Sequence, residues 1–472
     1  MLTDRQRSLL AAADCDIAFD NLTRQLYATD ASIYQVEPAA VAFPRGPRQA
    51  AAAIKAAAEG GLALIPRGAG SGLVGGAIGD GLVIEFARFN RGIGELDLEK
   101  ETVRVGAGVV LDQLNAFLRP RGYGFGPDVA TSSRATLGGM IANNSSGAHV
   151  PIYGCTAAHV RSLEVVMADG RIETLGPEPR PRLAQLVRAA AGEIESRMPP
   201  GLLKRWPGYG LDLYLRGSNA SHLLAGSEGT LAAILSAELR IVPLPRHKTL
   251  GLIFFASITE AMRAAVELLD LLPAAIEHVD KILFDQTRGQ LPFKAARDLL
   301  ELDGKPCESI LLVEFFDDDG ERLQAVSDKR LGLRTLLLRE AEPMARVWEL
   351  RKAGLSLLTG RKGAAKPVTA IEDAAVPPRR LPEYVEGLGK ILRARGLEAC
   401  FYGHAASGLL HVRPALDLHK AEDLKKFREV ADEVSALVRQ FKGSLAAEHG
   451  VGIARTEYME AQVGPRLLGL MR

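Results

Sequence analysis

The chain of 472 residues is 47% hydrophobic and 24% charged, which is typical of a folded globular protein with room for two or three domains. Lys and Arg number 58 against 57 Asp and Glu, so no large net charge would draw the chain onto nucleic acid or an anionic membrane, and we expect no nucleic-acid partner. The four cysteines are scattered and form no C-x-x-C pair, which argues against zinc ribbons, cysteine-ligated iron–sulfur clusters and disulfides.

The predicted elements begin with a helical arm over residues 1–35, which shows no signal-peptide pattern. A β-α-β unit follows and leads into further short elements. In chain order, the expected strands are 41–43, 63–65, 82–85 and 102–105, and the expected helices are 49–59 and 111–118. Residues 122–154 show little periodicity and are rich in Gly, Ser and Asn. Loops of this length in compact proteins are usually functional.

Strand patterns return at 163–167 and 231–242, and Pro243 and Pro245 then mark the predicted domain boundary. Further strands are expected at 250–255 and 309–316, and helices at 258–271, 381–395 and 423–441. The sequence therefore predicts an α/β (α+β) fold with an arm (1–35), a first domain (36–245), a second domain (246–455) and a C-terminal segment (456–472) that returns to the first domain. Because no run of about 20 apolar residues is present, we expect a cytoplasmic protein, at most peripheral at the inner face of a membrane.

A glycine-rich loop follows the second predicted strand and consists of Pro66, Arg67, Gly68, Ala69, Gly70, Ser71 and Gly72. Its glycines can adopt positive φ angles, and its successive N–H groups can form an anion-binding nest. A flexible turn is the alternative interpretation. Glu85 lies where a nicotinamide Rossmann site would have its acidic residue, so this loop alone does not distinguish the two cofactors.

Two later segments are dense in small and amide side chains, which suits a backbone wrapped around a large polar ligand. Either segment alone could be a surface loop. Together with the glycine-rich loop, they favour a cofactor site. The candidate cofactor-binding residues in them are Pro127, Asp128, Thr136, Gly138, Gly139, Asn143, Asn144, Gly147, Glu228 and Gly229.

The strongest chemical signal comes from His404, His411, Glu448 and His449, which lie in two glycine-rich segments near the C-terminus. Two imidazoles and a carboxylate are a common ligand set for zinc, manganese or ferrous iron. A lone histidine is more often packed or exposed than a ligand. Three of the chain's nine histidines lie in these two segments, which favours a functional site.

These motifs resemble the flavoprotein family of vanillyl-alcohol oxidase and p-cresol methylhydroxylase (PCMH), and within it the FAD-linked D-lactate, glycolate and D-2-hydroxyglutarate dehydrogenases. The resemblance runs from about Tyr27 to the C-terminus. It implies a PCMH-type FAD-binding domain of two α/β subdomains, followed by an α/β substrate (cap) domain. Some relatives attach flavin through a loop histidine or a cysteine. Residues 67–72 contain neither, so the resemblance implies non-covalent FAD.

The resemblance also implies the activity and the metal site. The expected reaction is oxidation of a small D-2-hydroxy acid to its 2-oxo acid, with hydride transfer to flavin N5. His404, His411 and Glu448 would bind a divalent metal ion, which would be zinc, manganese or iron. His449 would be the base above the flavin.

Arginine and lysine residues complete the candidate site. Arg351 matches a position where the family binds the substrate carboxylate, and a planar guanidinium suits that role. Lys366 and Arg413 are further candidates, although a single Lys or Arg is by default a surface charge. If Arg413 faces inward, it would hold the second carboxylate of a substrate such as 2-hydroxyglutarate.

The sequence departs from the family pattern at residues 406–409, where Ala-Ser-Gly-Leu replaces the Gly-Asp-Gly-Asn of many relatives. This leaves the hydroxy acid and the metal affinity open. The longest relatives continue into cysteine-rich iron–sulfur domains that this sequence lacks. Unless the sequence is a fragment of a longer protein, the expected electron acceptor is a quinone, a cytochrome, a separate iron–sulfur subunit or another acceptor. The oligomeric state is left open, with a homodimer as the candidate. Two alternatives are a metal-free flavin alcohol oxidase and a non-catalytic flavin-fold subunit, but neither needs the metal triad.

Overall fold

The computed structural model describes residues 2–369 and 372–472. The strands of its N-terminal half, residues 2–245, are β1 (Ile17–Ala18), β2 (Ala40–Ala42), β3 (Leu64–Arg67), β4 (Leu82–Glu85), β5 (Ile93–Asp97), β6 (Thr102–Gly106), β7 (Tyr123–Gly124), β8 (Val160–Val166), β9 (Ile172–Leu175), β10 (Ala233–Arg240) and β11 (Val242–Pro243). The α-helices of this half are α1 (Asp4–Ala11), α2 (Asn21–Leu26), α3 (Pro47–Glu59), α4 (Leu111–Leu118), α5 (Leu137–Asn143), α6 (Val150–Tyr153), α7 (Pro181–Arg188), α8 (Ala191–Arg197), α9 (Leu211–Gly217) and α10 (Ser221–Leu224).

Two sheets organise the N-terminal half. The first has the order β1-β2-β4-β3, in which β2, β4 and β3 are parallel and β1 is antiparallel. The second has the order β5-β6-β10-β8-β9 and is antiparallel. Helix α3 starts with Pro47 at its first position, where a missing N–H costs nothing. Its buried alanine-rich face contacts both β4 and β8, so one helix packs against both sheets.

The strands of the C-terminal half, residues 246–455, are β12 (Lys248–Phe255), β13 (Ala275–Asp280), β14 (Ser309–Phe316), β15 (Arg334–Leu338), β16 (Lys366–Pro367), β17 (Ala399–His404) and β18 (His411–Leu416). Its α-helices are α11 (Ile258–Leu268), α12 (Lys281–Asp285), α13 (Lys294–Leu299), α14 (Glu321–Asp328), α15 (Ala341–Lys352), α16 (Gly354–Thr359), α17 (Leu381–Arg393), α18 (Ala421–Gln440) and α19 (Gly452–Arg455). Short 3-10 helices in the two halves lie at Arg119–Arg121, Thr156–His159, Leu269–Leu271, Leu291–Phe293, Pro378–Arg380 and Ala405–Ser407.

The strands of the C-terminal half form an antiparallel sheet in the order β15-β12-β14-β13-β17-β18-β16. Helices α11, α17 and α18 cover one face of the sheet, and α12, α13 and α15 cover the other. Because both faces are buried, β12 and β14 are mainly apolar along their length rather than alternating, and the buried Glu314 is the charged exception in β14. A polar side chain on a strand buried on both faces needs a hydrogen-bond or ion-pair partner in the interior.

The chain ends with a 3-10 helix at Thr456–Tyr458 and with α20 (Met459–Val463) and α21 (Pro465–Met471). Met459, Val463 and Leu467 pack into the same buried core as Ile194 and Leu211 of the N-terminal half. In residues 2–369 and 372–472, no helix is both long and apolar enough to cross a lipid bilayer. The α/β class is confirmed, whereas the limits at residues 35, 245 and 455 stay predictions.

Candidate active site

A cavity of about 400 Å³ opens between the two halves, which is a size typical of ligand sites. On the N-terminal side it is lined mainly by the loop after β3 and by residues 128–148 around α5. On the C-terminal side it is lined by charged and aromatic side chains from α15, β13, β17 and β18. The loop that carries Glu448 and His449 closes the same side, so both halves contribute to one site.

The loop after β3 has glycines where side chains would not fit. Gly70 has a φ of +62°, in the left-handed region, and a Cβ atom at Gly68 would lie 2.1 Å from Thr136 Oγ1. Thr136 Oγ1 is buried and has no hydrogen-bond partner among the described residues. The loop therefore brings main chain and an unpaired hydroxyl to the cavity, and both features fit a bound polar cofactor.

Most of the predicted cofactor residues line this cavity. Those that do are Pro66, Arg67, Gly68, Ala69, Gly70, Ser71, Gly72, Asp128, Thr136, Gly138, Gly139, Asn143, Gly147, Glu228 and Gly229. Pro127 and Asn144 are buried instead, and Asn144 Oδ1 accepts the N–H of Ala157 at 2.8 Å, which fixes the loop after α5. The Arg67 guanidinium donates to the carbonyl of Thr29 at 2.8 Å, so this side chain also ties the arm to the glycine-rich loop.

His404 at the end of β17, His411 at the start of β18 and Glu448 converge in the cavity. The Nε2 atoms of His404 and His411 lie 3.4 and 3.6 Å from Glu448 Oε2. Two ligand atoms bound about 2.1 Å from one ion at a tetrahedral angle lie about 3.4 Å apart. Both the donor set and the spacing therefore fit a divalent metal ion.

Glu448 is held from the N-terminal half by Lys204, which sequence reasoning missed. The buried Lys204 ammonium forms an ion pair with Glu448 Oε1 and donates to Ser146 Oγ and the Gly147 carbonyl at 3.2 and 3.1 Å. The Ser146 hydroxyl donates to the same Glu448 Oε1 at 3.1 Å. Because both partners take Oε1, the other carboxylate oxygen faces the two histidines.

A second buried acid, Glu277 on β13, connects the metal triad to Arg351. The pairing of β13 with β17 places Glu277 opposite His404. Glu277 Oε1 lies 2.7 Å from His404 Nδ1, and Glu277 Oε2 lies 2.6 Å from Arg351 Nη2. One carboxylate therefore fixes the ring of His404, with Nε2 towards Glu448, and also positions Arg351.

His449 lies beside the triad, and its ring stacks on that of His411 with the centroids 4.9 Å apart. Its Nδ1 lies 2.8 Å from Glu372 Oε1, which sets the orientation of the imidazole. Asp373 accepts the main-chain N–H groups of Glu448 and His449 at 3.0 and 2.7 Å. Asp373, His411 and His449 also lie close enough to form a metal-ligand set, but these main-chain bonds already occupy the Asp373 carboxylate.

The charges around Glu448 and His411 favour their metal-binding forms. Burial would raise the pKa of Glu448, but Lys204 and His404 lower it well below its usual range. Burial lowers the pKa of His411 far below that of a free histidine, and the neighbouring His449 lowers it further. An ionised carboxylate and a neutral imidazole are the forms that coordinate metals.

The pKa values of His404 and His449 move in the opposite direction. Burial alone would lower the pKa of His404, but Glu277 and Glu448 raise it, so a metal ion would compete with a proton there. Burial likewise would lower the pKa of His449, but Asp373 and the adjoining Glu372 raise it. The base form of His449 is therefore reached at a higher pH than in a free histidine.

Of the predicted substrate-binding residues, Arg351 and Arg413 line the cavity and Lys366 does not. The guanidinium carbons of Arg351 and Arg413 lie 5.3 and 5.8 Å from the ring centroid of Tyr402. Lys366 lies on the short edge strand β16, is exposed, and donates to the carbonyl of Arg361 at 2.5 Å. The expected role of Lys366 is not supported, because an edge position turns its side chain to solvent.

The loop carrying Glu448 and His449 meets the N-terminal half at further points. Glu228 accepts the main-chain N–H groups of Val451 and Gly452 at 2.8 and 2.9 Å. Asn143 Nδ2 donates to the His449 carbonyl at 3.4 Å. Two residues predicted to bind the cofactor therefore also hold the loop that carries the proposed base.

A third contact between the halves involves His149, which lies next to the cavity. Its Nδ1 lies 3.0 Å from Asp128 Oδ2, and its Nε2 lies 2.6 Å from Glu314 Oε2 on β14. Burial would lower the pKa of His149, but Asp128 and Glu314 raise it to about 10. The histidine is therefore a buried cation between two acids, one from each half.

Sequence reasoning missed Lys204, Glu277 and Glu372. For Glu277 a signal existed, because an ionisable residue in the apolar run 275–279 is costly unless it is paired. Glu372 and Asp373 form a similar acidic pair in apolar surroundings. Lys204 stands beside Arg205 in a segment that gives no such signal.

Comparisons with known proteins agree with this architecture. The family pattern described as "FAD binding domain" matches residues 38–176, and the one described as "FAD linked oxidases, C-terminal domain" matches residues 244–472. The chain is 33% identical to a D-2-hydroxyglutarate dehydrogenase of Pantoea ananatis, over 97% of this chain and 48% of that protein. It is 29% identical to the glycolate oxidase subunit GlcD of Bacillus subtilis, over 94% of this chain and 87% of that one.

The fold matches the crystal structure of p-cresol methylhydroxylase with substrate bound, with a TM-score of 0.69 at 14% identity over 100% of this chain and 94% of that one. The predicted PCMH-type fold and the FAD-binding assignment are thereby confirmed. The chain spans about half the length of the D-2-hydroxyglutarate dehydrogenase that it matches. From these matches we conclude that the chain belongs to the FAD-linked oxidases, with an FAD-binding domain followed by the C-terminal domain of that family and with the fold of p-cresol methylhydroxylase.

Proposed function

We propose that this chain is an FAD-dependent dehydrogenase that oxidises a small D-2-hydroxy acid, of the D-lactate or D-2-hydroxyglutarate type, to its 2-oxo acid. The main support is that one cavity combines the main-chain cofactor loops with the triad His404, His411 and Glu448. Because the chain spans about half of its first curated relative, the activity of the whole protein is part of the proposal.

We expect FAD to be held non-covalently, because residues 67–72 offer neither a histidine nor a cysteine for attachment. When bound, FAD would supply the electron acceptor, taking hydride from the substrate C2 at N5. The N–H groups of the loop after β3 would bind its pyrophosphate, and the unpaired Thr136 hydroxyl would offer a further hydrogen bond.

The triad would hold zinc, manganese or iron through Glu448 Oε2 and the Nε2 atoms of both histidines. When bound, such an ion would lower the pKa of the substrate hydroxyl. Glu277 lies against Nδ1 of His404, and Lys204 pairs with Oε1 of Glu448, so the ligand atoms of these two residues are oriented before any ion binds. Orientation of this kind reduces the entropy that binding would otherwise cost.

His449 would accept the hydroxyl proton at Nε2, because Glu372 already holds Nδ1. The alcohol would lose one proton to His449 and one hydride to the cofactor, so that two electrons leave as the C2 carbonyl forms. Since Asp373 and Glu372 raise the pKa of His449, flavin reduction should accelerate as the pH rises through that value.

Arg351 would bind the substrate carboxylate. Its guanidinium is positioned by Glu277, and its Nε is buried with no hydrogen-bond partner among the described residues. A planar guanidinium can bind a carboxylate through two N–H groups. The reoxidant would be a quinone, a cytochrome or a separate iron–sulfur subunit.

Anaerobic single-turnover mixing tests this proposal. Purified FAD-loaded protein is mixed with the D and L forms of lactate and 2-hydroxyglutarate, and flavin bleaching is followed. We expect bleaching by D forms only, its loss on chelation, and its recovery with zinc or manganese. Bleaching by no 2-hydroxy acid would contradict the proposal, and undiminished bleaching in protein shown by elemental analysis to lack metal would favour the metal-free oxidase.

A further inference from the structure

The loop between β3 and β4 has no regular structure of its own to hold its shape. Residues 68–81 contain no helix or strand, and half of them are glycine. Glycine loses more backbone freedom on ordering than any other residue, so such a loop binds an anion tightly only if other parts of the protein fix its backbone beforehand. The contacts that fix it therefore contribute to cofactor binding even where they lie outside the cavity.

The buried guanidinium of Arg67 closes the base of this loop and ties it to the N-terminal arm. Its Nη1 donates to the carbonyl of Ala77 at 2.9 Å and to that of Tyr27 at 3.3 Å, and its Nη2 donates to the carbonyl of Thr29 at 2.8 Å. One side chain therefore joins both ends of the loop to the arm. Because main-chain carbonyls already accept three of its N–H groups, Arg67 is a positioning residue that acts from behind the loop.

Two further contacts join the arm to the middle of the loop. The Ala31 N–H donates to the carbonyl of Gly70 at 3.0 Å. Gly75, with a φ of +77°, faces the ring of Tyr34, and a Cβ atom there would lie 3.1 Å from Tyr34 Cδ2 and 2.9 Å from Ile453 Cδ1 of α19. Tyr34 is half-buried and does not line the cavity, so it can act on a bound cofactor only through the loop.

We propose that residues 27–34 of the arm form a strap that fixes the loop after β3 in the shape that binds FAD. This inference rests on the proposed function only in placing the FAD pyrophosphate at that loop, and its test requires no turnover. Without the strap, the cofactor itself would have to order the glycines, and that cost would appear as a weaker affinity for FAD. Bound FAD should in turn hold the strap more firmly against the loop.

Tyr34→Ala tests the strap, because it removes a ring that contacts the loop and does not line the cavity. When full-length apoprotein is titrated with FAD, we expect the dissociation constant to rise by about 10-fold, which corresponds to the loss of a half-buried aromatic contact. Tyr34→Phe should bind FAD as the wild type does, since the ring makes the contact with Gly75. Ile33→Ala, at the exposed neighbouring position of the arm, is the matched control and should leave the dissociation constant unchanged.

Hydrogen exchange in the wild type gives a second measurement that needs no variant. Followed by mass spectrometry, the peptides that span residues 28–34 should exchange about 10-fold more slowly in FAD-loaded protein than in apoprotein. The helix α14, none of whose residues lines the cavity, should exchange equally in both forms. A strap with a purely structural role would be equally protected with and without FAD.

Wild-type affinity for FAD in Tyr34→Ala, an equal loss in Ile33→Ala, or FAD-independent exchange in residues 28–34 would each overturn the inference. Gly68→Ala, which alters the loop itself, separates this result from failure of the proposed function. If Gly68→Ala weakens FAD binding and Tyr34→Ala does not, only the strap is wrong. If neither variant weakens FAD binding, the pyrophosphate does not lie at this loop, and that part of the proposed function fails together with the strap.

Discussion

The cavity is lined on its N-terminal side by main chain and small residues of the loop after β3 and the segment around α5. On its C-terminal side, charged side chains extend mostly from buried strands, and several of them have a partner distant in sequence, as His404 has Glu277. This difference shows that a main-chain cofactor-binding loop can be specified by glycines that are close together in the sequence. A reactive centre instead requires tertiary pairing, because every ionisable group in it needs its own partner.

The largest expected effect comes from removing a proposed metal ligand on the C-terminal side of the cavity, where the charged side chains lie. His404→Ala removes one of the triad donors, so we expect metal content and flavin reduction to fall together, by about 10³-fold or more for the rate, given the several kcal/mol that such an ion supplies. FAD content at a saturating FAD concentration should stay normal, because the loop after β3 is unchanged. Elemental analysis and stopped-flow bleaching measure both, with the exposed His419→Ala as control. Failure of His404→Ala to bind FAD even at a saturating concentration would contradict the separation of the two sides.

His449→Ala tests whether Glu448 and His449 have separate roles, metal binding and proton acceptance, on the C-terminal side of the cavity. We expect FAD and metal to be retained, and flavin reduction at saturating substrate to slow by about 10²- to 10⁴-fold, the usual worth of a general base. Single-turnover kinetics isolates this step from reoxidation. If the variant loses its metal, the set formed by Asp373, His411 and His449 is the true ligand set. If it is as fast as the wild type, the base is another residue.

Gly68→Ala tests FAD binding by the loop after β3, on the N-terminal side of the cavity. The added Cβ would meet Thr136 Oγ1 at 2.1 Å, so the threonine or the loop must move, at a cost of about 1 to 3 kcal/mol. We expect FAD affinity to fall by about 5- to 150-fold, while the metal affinity of FAD-saturated protein is unchanged. Fluorescence titration of apoprotein with FAD measures the first quantity. Gly92→Ala, which meets nothing within 4 Å, is the control, and an equal loss there would remove the steric explanation.

Glu277→Gln keeps the shape of the side chain but removes the charge shared by His404 and Arg351. We expect metal affinity to fall by about 10- to 100-fold, as for other partners of metal-bound histidines, and KM for the hydroxy acid to rise. Competition with a chromophoric chelator gives the affinity. Glu386→Gln, on the surface beside Arg263, should change neither. A variant with altered KM but normal metal affinity would limit Glu277 to the positioning of Arg351.

The last expected effect is on stability rather than on activity and concerns His149 between the halves. Its pKa is about 10 in the folded chain and about 6.5 when unfolded, so the folded chain keeps a proton that the unfolded chain releases between these values. The contribution of His149 to stability is therefore complete below about pH 6.5 and is lost as the pH rises towards 10. Over this range the free energy of unfolding should fall by about a few kcal/mol. Urea unfolding of wild type and His149→Gln at pH 7 and 9.5 measures this. A slope with pH that persists in His149→Gln belongs to other groups.

Much of the fold could be predicted because its core elements have strong apolar periodicity. The helix at Leu111–Leu118 and the strands at Leu82–Glu85 and Ser309–Phe316 have the limits that the sequence predicts. The strands β13, β17 and β18 were not predicted, because Glu277, His404 and Arg413 interrupt their apolar pattern. The same polar residues that obscure these strands build the site.

In the site itself, the triad and the cofactor loops could be proposed because their residues form short motifs. Lys204 could not, since it meets Glu448 across 244 residues and nothing local requires it. Glu277 meets His404 only through the register of β13 and β17. Lys366 shows the converse, because a lysine that the sequence offered as a further substrate-binding candidate lies outside the cavity on an edge strand.

The attachment of Glu448 to Lys204 and Ser146 has a thermodynamic consequence for how the protein is loaded. Ser146 belongs to the cofactor-lining segment, so whatever orders that segment also orders the ligand Glu448. Binding of the flavin and of the ion should then be coupled, and linkage requires each to strengthen the other by the same factor. Preparations short of flavin would therefore lose their metal more readily during purification, and adding FAD would raise their affinity for the ion.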